Sequence, residues 1–101
     1  MTDQETIPLV TPGEILQEEF IAPNGITGKQ LSEGSGVPAS RISEIVHDRK
    51  RISAEIALRF AAYFGNTPQF WLNLQSFYDC ERAELEKGDA IRREVNPLRI
   101  A

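Results

Sequence analysis

The sequence predicts an all-α protein, five helices in one domain with short extended tails at both ends. Three observations carry that prediction. Apolar residues recur at helical spacing in five separate stretches. Helix-start residues stand ahead of those stretches, at Thr11, Thr27, Ser53 and Thr67, and glycine-bearing turns at Pro23-Asn24-Gly25, Gly34-Ser35-Gly36 and Gly65 close them. At 101 residues, 41% of them hydrophobic, the chain holds one core of modest size rather than two.

Residues 1–10 show no periodicity, and Ile7-Pro8-Leu9-Val10 reads as an extended lead-in, because proline lacks an N–H and restricts the residue before it. The first helix opens at Thr11-Pro12-Gly13-Glu14, where Thr11 caps, Pro12 suits the first helical position and Glu14 completes a capping box. Ile15, Leu16 and Phe20 form its apolar face. A second capping box, Thr27 with Gln30, opens a two-turn helix that carries Leu31 inward and ends at Gly34-Ser35-Gly36. From Pro38 onward Ile42, Ile45 and Val46 share one side of a third helix, while Ser40, Arg41 and Glu44 point elsewhere.

Ser53 caps the fourth helix, Glu55 suits the positive end of its dipole, and Ile56, Ala57, Phe60, Ala61 and Phe64 pack inward until Gly65. Asn66-Thr67-Pro68 starts the fifth. Its aromatic residues Phe70, Trp71, Phe77 and Tyr78 read as core and as candidate dimer contacts, since aromatics at helical spacing in a small protein belong to the interior more often than to a base-stacking surface. Among them Asn73 and Gln75 are polar, so one is expected to bond a backbone group or a facing subunit. Beyond Gly88 the apolar residues are scattered, and the segment is expected to be extended or partner-bound. The chain therefore divides into a lead-in at 1–10, a helical domain at 11–87 and a tail at 88–101.

Composition removes several classes of function. No apolar run approaches the roughly 18 residues that span a bilayer, and the N-terminus has neither a basic start nor an apolar stretch of signal type, so a cytoplasmic protein without a membrane partner is expected. Cys80 and His47 are single occurrences, which leaves no disulfide, no zinc-like ligand cluster and no expected metal or cofactor. They form no local catalytic motif, and there is no glycine-rich phosphate loop after a strand, so an enzyme is not expected. A net charge of −4 argues against nonspecific coating of nucleic acid, which needs many Lys and Arg contacts to phosphate. Charge placement says more. Arg41, Arg49, Lys50 and Arg51 cluster, whereas segments 14–19 and 79–89 are mostly acidic.

A helix-turn-helix needs a short first helix, a tight glycine-bearing turn and a second helix whose N-terminal residues enter the major groove. Leu31 and Ile42 pack the two helices together in that frame, Gly36 permits the turn and Val37 plugs the core beneath it. Ala39, Ser40, Arg41 and Glu44 then face the groove. Arg41 is the best candidate for a base contact, because a guanidinium bonds guanine O6 and N7 together, worth roughly 1–3 kcal/mol of discrimination. Glu44 either accepts from cytosine or holds Arg41 in place. Candidate phosphate contacts are Lys29, Gln30, Arg49, Lys50, Arg51 and the backbone at the Thr27 helix start.

These residues also resemble a known family. Leu31, Gly36-Val37-Pro38, Arg41 to Val46, Ile52, Ala57 to Ala61 and Phe64-Gly65 look like the Xre-type domain of HigA-family antitoxins. Thr67 to Gln75, Tyr78-Asp79 and the opening Thr11 to Leu16 with Glu18-Glu19-Phe20 make the likeness more specific, and it covers residues 11–80. The resemblance implies a lambda-repressor-like fold and a homodimer that binds a palindromic operator in double-stranded DNA at its own promoter. It further implies neutralisation of a HigB-type toxin, an mRNA-cleaving ribonuclease of RelE-like fold. Ser32, Ser35 and Cys80 depart from the family's usual alanine, apolar residue and leucine. Two alternatives stay open: a stand-alone repressor, and a toxin-binding interaction protein with weak DNA binding.

Overall fold

Local hydrogen bonds set where the helices begin. In the computed structural model, which describes residues 9–99, Thr11 Oγ1 accepts from the Glu14 N–H at 3.0 Å while Glu14 Oε1 accepts from the Thr11 N–H at 2.9 Å. This box opens α1 (Pro12–Ile15), which runs on directly as a π-helical segment (Leu16–Ile21). Thr27 and Gln30 make the same reciprocal pair at the start of α2 (Gly28–Ser35). Side-chain caps from Ser53 and Thr67 begin α4 (Ala54–Phe64) and α5 (Pro68–Glu94). Between them α3 (Ala39–Val46) follows Pro38 with no side-chain cap. No strand occurs among the described residues, in keeping with the expected all-α class. Of the expected extended lead-in, residues 1–8 lie outside the described part, and Leu9 and Val10 belong to no regular element.

The π-helical turn was not legible in the first helix's pattern, and the buried residues explain it. Leu16 and Ile21 are both inside the core yet stand five positions apart, a spacing that an i→i+5 turn brings to one face and an α-helix splays apart. The Ala22 N–H donates to the Gln17 carbonyl at 2.9 Å, which is that wider hydrogen bond.

One core joins all five helices. Leu31 of α2, Val37 of the turn, Ile42 and Ile45 of α3 and Ile52 of the following loop pack with Ile56, Ala57, Phe60 and Ala61 of α4. Trp71 of α5 closes that core with no exposed surface. Its ring centroid lies 4.7 Å from Phe20, 5.3 Å from Phe60 and 5.0 Å from Phe70, so it touches the π segment, α4 and its own neighbour on α5. The indole N–H is not stranded by this burial, since it donates to Asn66 Oδ1 at 2.8 Å.

Two expectations about α5 need correction. The tail expected to be extended from Gly88 continues the helix to Glu94, so no change of structure marks the 87/88 boundary. Gly88 has no positive φ and sits in the helix as an ordinary residue; the positive-φ glycines are Gly25, Gly36 and Gly65. Its missing side chain leaves space that Glu84 and Arg92 fill, and these two join in a salt bridge across eight positions, with Asp89 also on Arg92. That pair holds the Glu84 carboxyl below the usual range, chiefly through the hydrogen bonds from Arg92. The helix stops where Val95 turns extended, ahead of Asn96-Pro97, whose proline disfavours helix at the residue before it.

The second correction concerns Phe77, expected in the core but 68% exposed. Trp71, Gln75 and Tyr78 are the positions of α5 turned to the body, and Phe77, one residue from Tyr78, is rotated roughly 100° away from that line. Phe70 is similarly only half-covered.

Gly13 marks the tightest approach between helices. A Cβ there meets the Ile45 carbonyl oxygen and comes within 2.7 Å of the Val46 carbonyl oxygen, both backbone atoms at the end of α3. Gly13→Ala is therefore expected to destabilise the protein by at least about 1–3 kcal/mol, as overpacking does. A denaturant midpoint unchanged from wild type would show that α1 does not seat on α3 in this way.

Candidate nucleic-acid interface

The turn between α2 and α3 is held by hydrogen bonds as well as by Gly36, whose φ of 81° suits glycine. Ser35, the residue that stands where an apolar one is usual, is buried, and its hydroxyl donates to the Leu31 carbonyl at 2.6 Å and accepts from the Val37 N–H at 3.2 Å. Arg59 of α4 donates to the Ser35 carbonyl at 3.2 Å. The polar substitution thus closes the turn instead of loosening it. With Leu31, Val37, Ile42 and Ile45 buried beneath, α3 presents Ala39, Ser40 and Arg41 to solvent and Glu44 half-buried beside them.

Glu44 is paired with Arg41 on this face. Its Oε1 accepts from Arg41 Nε at 3.2 Å, one helical turn away, with both side chains about two-fifths exposed at 44% and 40%. An exposed pair of this kind contributes little to stability, but it restricts the rotamers of Arg41 before any ligand arrives.

At the start of α2 the Gln30 side-chain oxygen is engaged by Thr27, which leaves its amide N–H groups pointing outward from the capping box. Lys29 is exposed next to it. Lys29 and Ala39 line one shallow hollow between the π segment, α2 and α3, together with Gln17, Ser43 and His47. Gln17 and Ser43 are absent from the sequence-based candidates. No local signal placed Gln17 there, because its position beside α3 arises from the packing of α1 across the motif. His47 ends α3, exposed, with Nδ1 2.8 Å from the Ser43 carbonyl.

Arg49, Lys50 and Arg51 occupy the loop after α3 and are all exposed. The surrounding hydrogen bonds come from α5. Asp48 adopts a positive φ of 59°, uncommon outside glycine, and its carboxylate accepts from the Tyr78 hydroxyl at 2.7 Å. That hydrogen bond, aided by burial, holds the Tyr78 phenol above its ordinary value. Arg82 reaches the same hydroxyl at 3.4 Å. At the loop's other end Gln75, nearly fully buried, accepts from the Ile52 N–H at 2.8 Å and donates to Asp79 Oδ1 at 3.0 Å. Gln75 is thus the polar residue of the fifth helix that bonds a backbone group, while Asn73 stays exposed and pairs with Gln69. Arg51 is salt-bridged to the other oxygen of Asp79. Lys29, Arg49 and Lys50 take part in no salt bridge among the described residues.

Among the described residues no group of three or more His, Cys, Asp or Glu side chains is placed to hold a metal ion, and no helix is long and apolar enough to cross a membrane. Cys80 is exposed and unbonded.

Comparison with known proteins agrees with this geometry. Residues 17–71 match a family described as helix-turn-helix. The chain is 43% identical to antitoxin HigA-1 of Vibrio cholerae over 69% of its own length and 66% of that protein's. It superposes on the Pseudomonas aeruginosa antitoxin HigA, solved with the higBA promoter, with a TM-score of 0.84 and 38% identity, covering 89% of this chain and 98% of that one. The chain belongs to the HigA family of helix-turn-helix antitoxins. This HigA-family chain is also similar to the virulence-associated protein I of Dichelobacter nodosus and to the antitoxin GraA. The first is 44% identical over 80% of this chain and 75% of its own length. The second, solved in complex with its operator, has a TM-score of 0.86 and 37% identity over 93% and 95% of the two chains.

The α5 grip on the loop can be tested apart from any ligand. Gln75→Leu strips the Ile52 N–H of its partner in a buried place, and a loss of about 1–3 kcal/mol is expected in urea unfolding. A neutral result would mean that the loop end finds another acceptor.

Proposed function

We propose that this HigA-family chain is the antitoxin of a HigB–HigA-type system, a sequence-specific DNA-binding autorepressor that also neutralises an mRNA-cleaving toxin. The observation that carries this reading is likeness over nearly the whole chain to a HigA solved with promoter DNA, joined to an exposed, pre-ordered α3 N-terminus. Its partners on this reading are double-stranded DNA with a palindromic operator, the toxin and a second copy of itself. It works in the cytoplasm and carries out no catalysis of its own. Residues 11–87 form the DNA-binding unit, and residues 88–94 prolong its last helix.

Base contacts fall to Arg41, with Ser40, Ala39 and Glu44 around it. Arg41 takes a bidentate grip on guanine while Glu44 keeps the guanidinium aimed, so the pair acts as one reading head. Ala39 offers a methyl surface suited to thymine. Phosphate contacts fall to the unpaired cations Lys29, Arg49 and Lys50, to Gln30, to the backbone at Thr27 and to Arg51. These few positions reconcile a net charge of −4 with DNA binding, since each phosphate contact contributes locally through counterion release.

Dimer formation is supported by α5. Phe70, Leu74, Phe77 and Leu85 fall within a sector of about 80° on that helix at roughly 100° per residue. Phe70, Phe77 and Leu85 are 39%, 68% and 74% exposed in the single chain, which is a poor end state for such a stripe in water. Two copies joined there present two α3 helices to half-sites about 34–36 Å apart.

Two outcomes test the reading. Arg41→Ala is expected to relax base preference at one position per half-site, whereas Lys50→Ala weakens all sequences alike and flattens the salt slope by about 1; binding selection on randomised duplexes reads both, and an unchanged preference in Arg41→Ala would remove it from the site. Phe77→Glu is expected to shift the protein to a monomer in sedimentation velocity. Persistence of the dimer in that variant would place the interface elsewhere.

A further inference from the structure

We propose that Asp79 is an intramolecular competitor for DNA phosphate at Arg51, so that α5 sets the strength of sequence-independent binding from behind the interface. The inference rests on the phosphate-contacting role proposed above for the 49–51 loop.

Arg51 is the one cation of that loop already engaged by an anion. Its partner is fixed in space. One oxygen of Asp79 accepts from Gln75, and Gln75 is itself buried and bonded to the Ile52 backbone, so this hydrogen bond holds the carboxylate toward the loop. Asp79 is one-third exposed, while Arg51 is 67% exposed and can turn outward to a phosphate without disturbing the core. An ionised carboxylate and a phosphate oxygen present the same chemistry to a guanidinium, two acceptors in a plane that match its fork. Arg51 must therefore give up one anion to take the other. Arg49 and Lys50 face no such exchange, and neither do the bonds that Tyr78 and Asp48 make at the loop's opposite end. The competition lowers affinity equally for every sequence and leaves base reading at Arg41 untouched, so the ratio of operator to bulk binding stays the same while both weaken.

The test measures binding of a random-sequence duplex by fluorescence anisotropy between roughly 50 and 200 mM salt. Asp79→Asn keeps an oxygen for Gln75 and removes the charge. It is expected to bind more tightly at the low-salt end and to steepen the slope of log K against log salt by up to about 0.9, the value of one whole phosphate contact, because Arg51 in the wild type is divided between Asp79 and phosphate. Over a fourfold range of salt that exponent is an additional loss of up to about 3.5-fold. In an Arg51→Gln background Asp79→Asn is expected to change neither quantity, and Asp79→Glu is expected to restore wild-type behaviour. A second variant works without altering Asp79: Arg51→Gln alone is expected to flatten the slope less than Lys50→Ala does. An unchanged slope in Asp79→Asn, an effect that persists in the Arg51→Gln background, or equal flattening by Arg51→Gln and Lys50→Ala overturns the competitor role. If Lys50→Ala also leaves the slope unchanged, the phosphate-contacting reading of the loop fails, and this proposal with it.

Discussion

Burial of Trp71 is the constraint from which the rest of the molecule follows. Its ring meets Phe20 of the π segment and Phe60 of α4, and its N–H is tied to Asn66 just before the helix begins, so the first turns of α5 have one orientation. Gln75, one turn on, then has its amide beneath Ile52, and Tyr78 has its hydroxyl at Asp48. Both ends of the basic loop are thereby fixed by residues far from it in sequence. A side chain at position 71 that filled less space would release α5, and with it the groups that shape the basic loop.

The opposite end of the motif depends on backbone approach. Gly13 lets α1 sit against the last carbonyls of α3, and Ser35 with Arg59 closes the turn that leads into α3. The reading helix is therefore gripped at its C-terminal end by α1 and at its entry by α2 and α4. Its exposed first turn is left without a side-chain cap. These contacts fix the axis of α3 while its exposed side chains stay at the surface.

What could be read from the sequence was what is encoded locally. Thr11 with Glu14, Thr27 with Gln30, and the turns at Gly36 and Gly65 are signals contained in a few residues, and the corresponding helix ends agree with the structure. The outward set on α3 was legible because helical spacing separates the buried Ile42 and Ile45 from the exposed Arg41 and the half-buried Glu44. Features that depend on distant partners were not legible. The π-helical turn answers to where Leu16 and Ile21 must both pack, and the pairing of Arg51 with Asp79 spans 28 positions. Gly88 misled for a related reason: glycine near a loss of periodicity resembles a stop, whereas here it makes room for Glu84 and Arg92 to meet. Phe77 misled because it stands one residue from the buried Tyr78, and a step of about 100° turns it off the line that Trp71, Gln75 and Tyr78 present to the body.

That free-standing outer half of α5 has a consequence of its own. Beyond Tyr78 no apolar side chain of the helix is buried, and Arg82 with Glu86 and Arg92 with Glu84 and Asp89 are the contacts that brace it. Such exposed pairs are screened by electrolyte. In a lone chain, ionic strength therefore acts as a length control on this arm, fraying it from the outer end inward as its braces are screened.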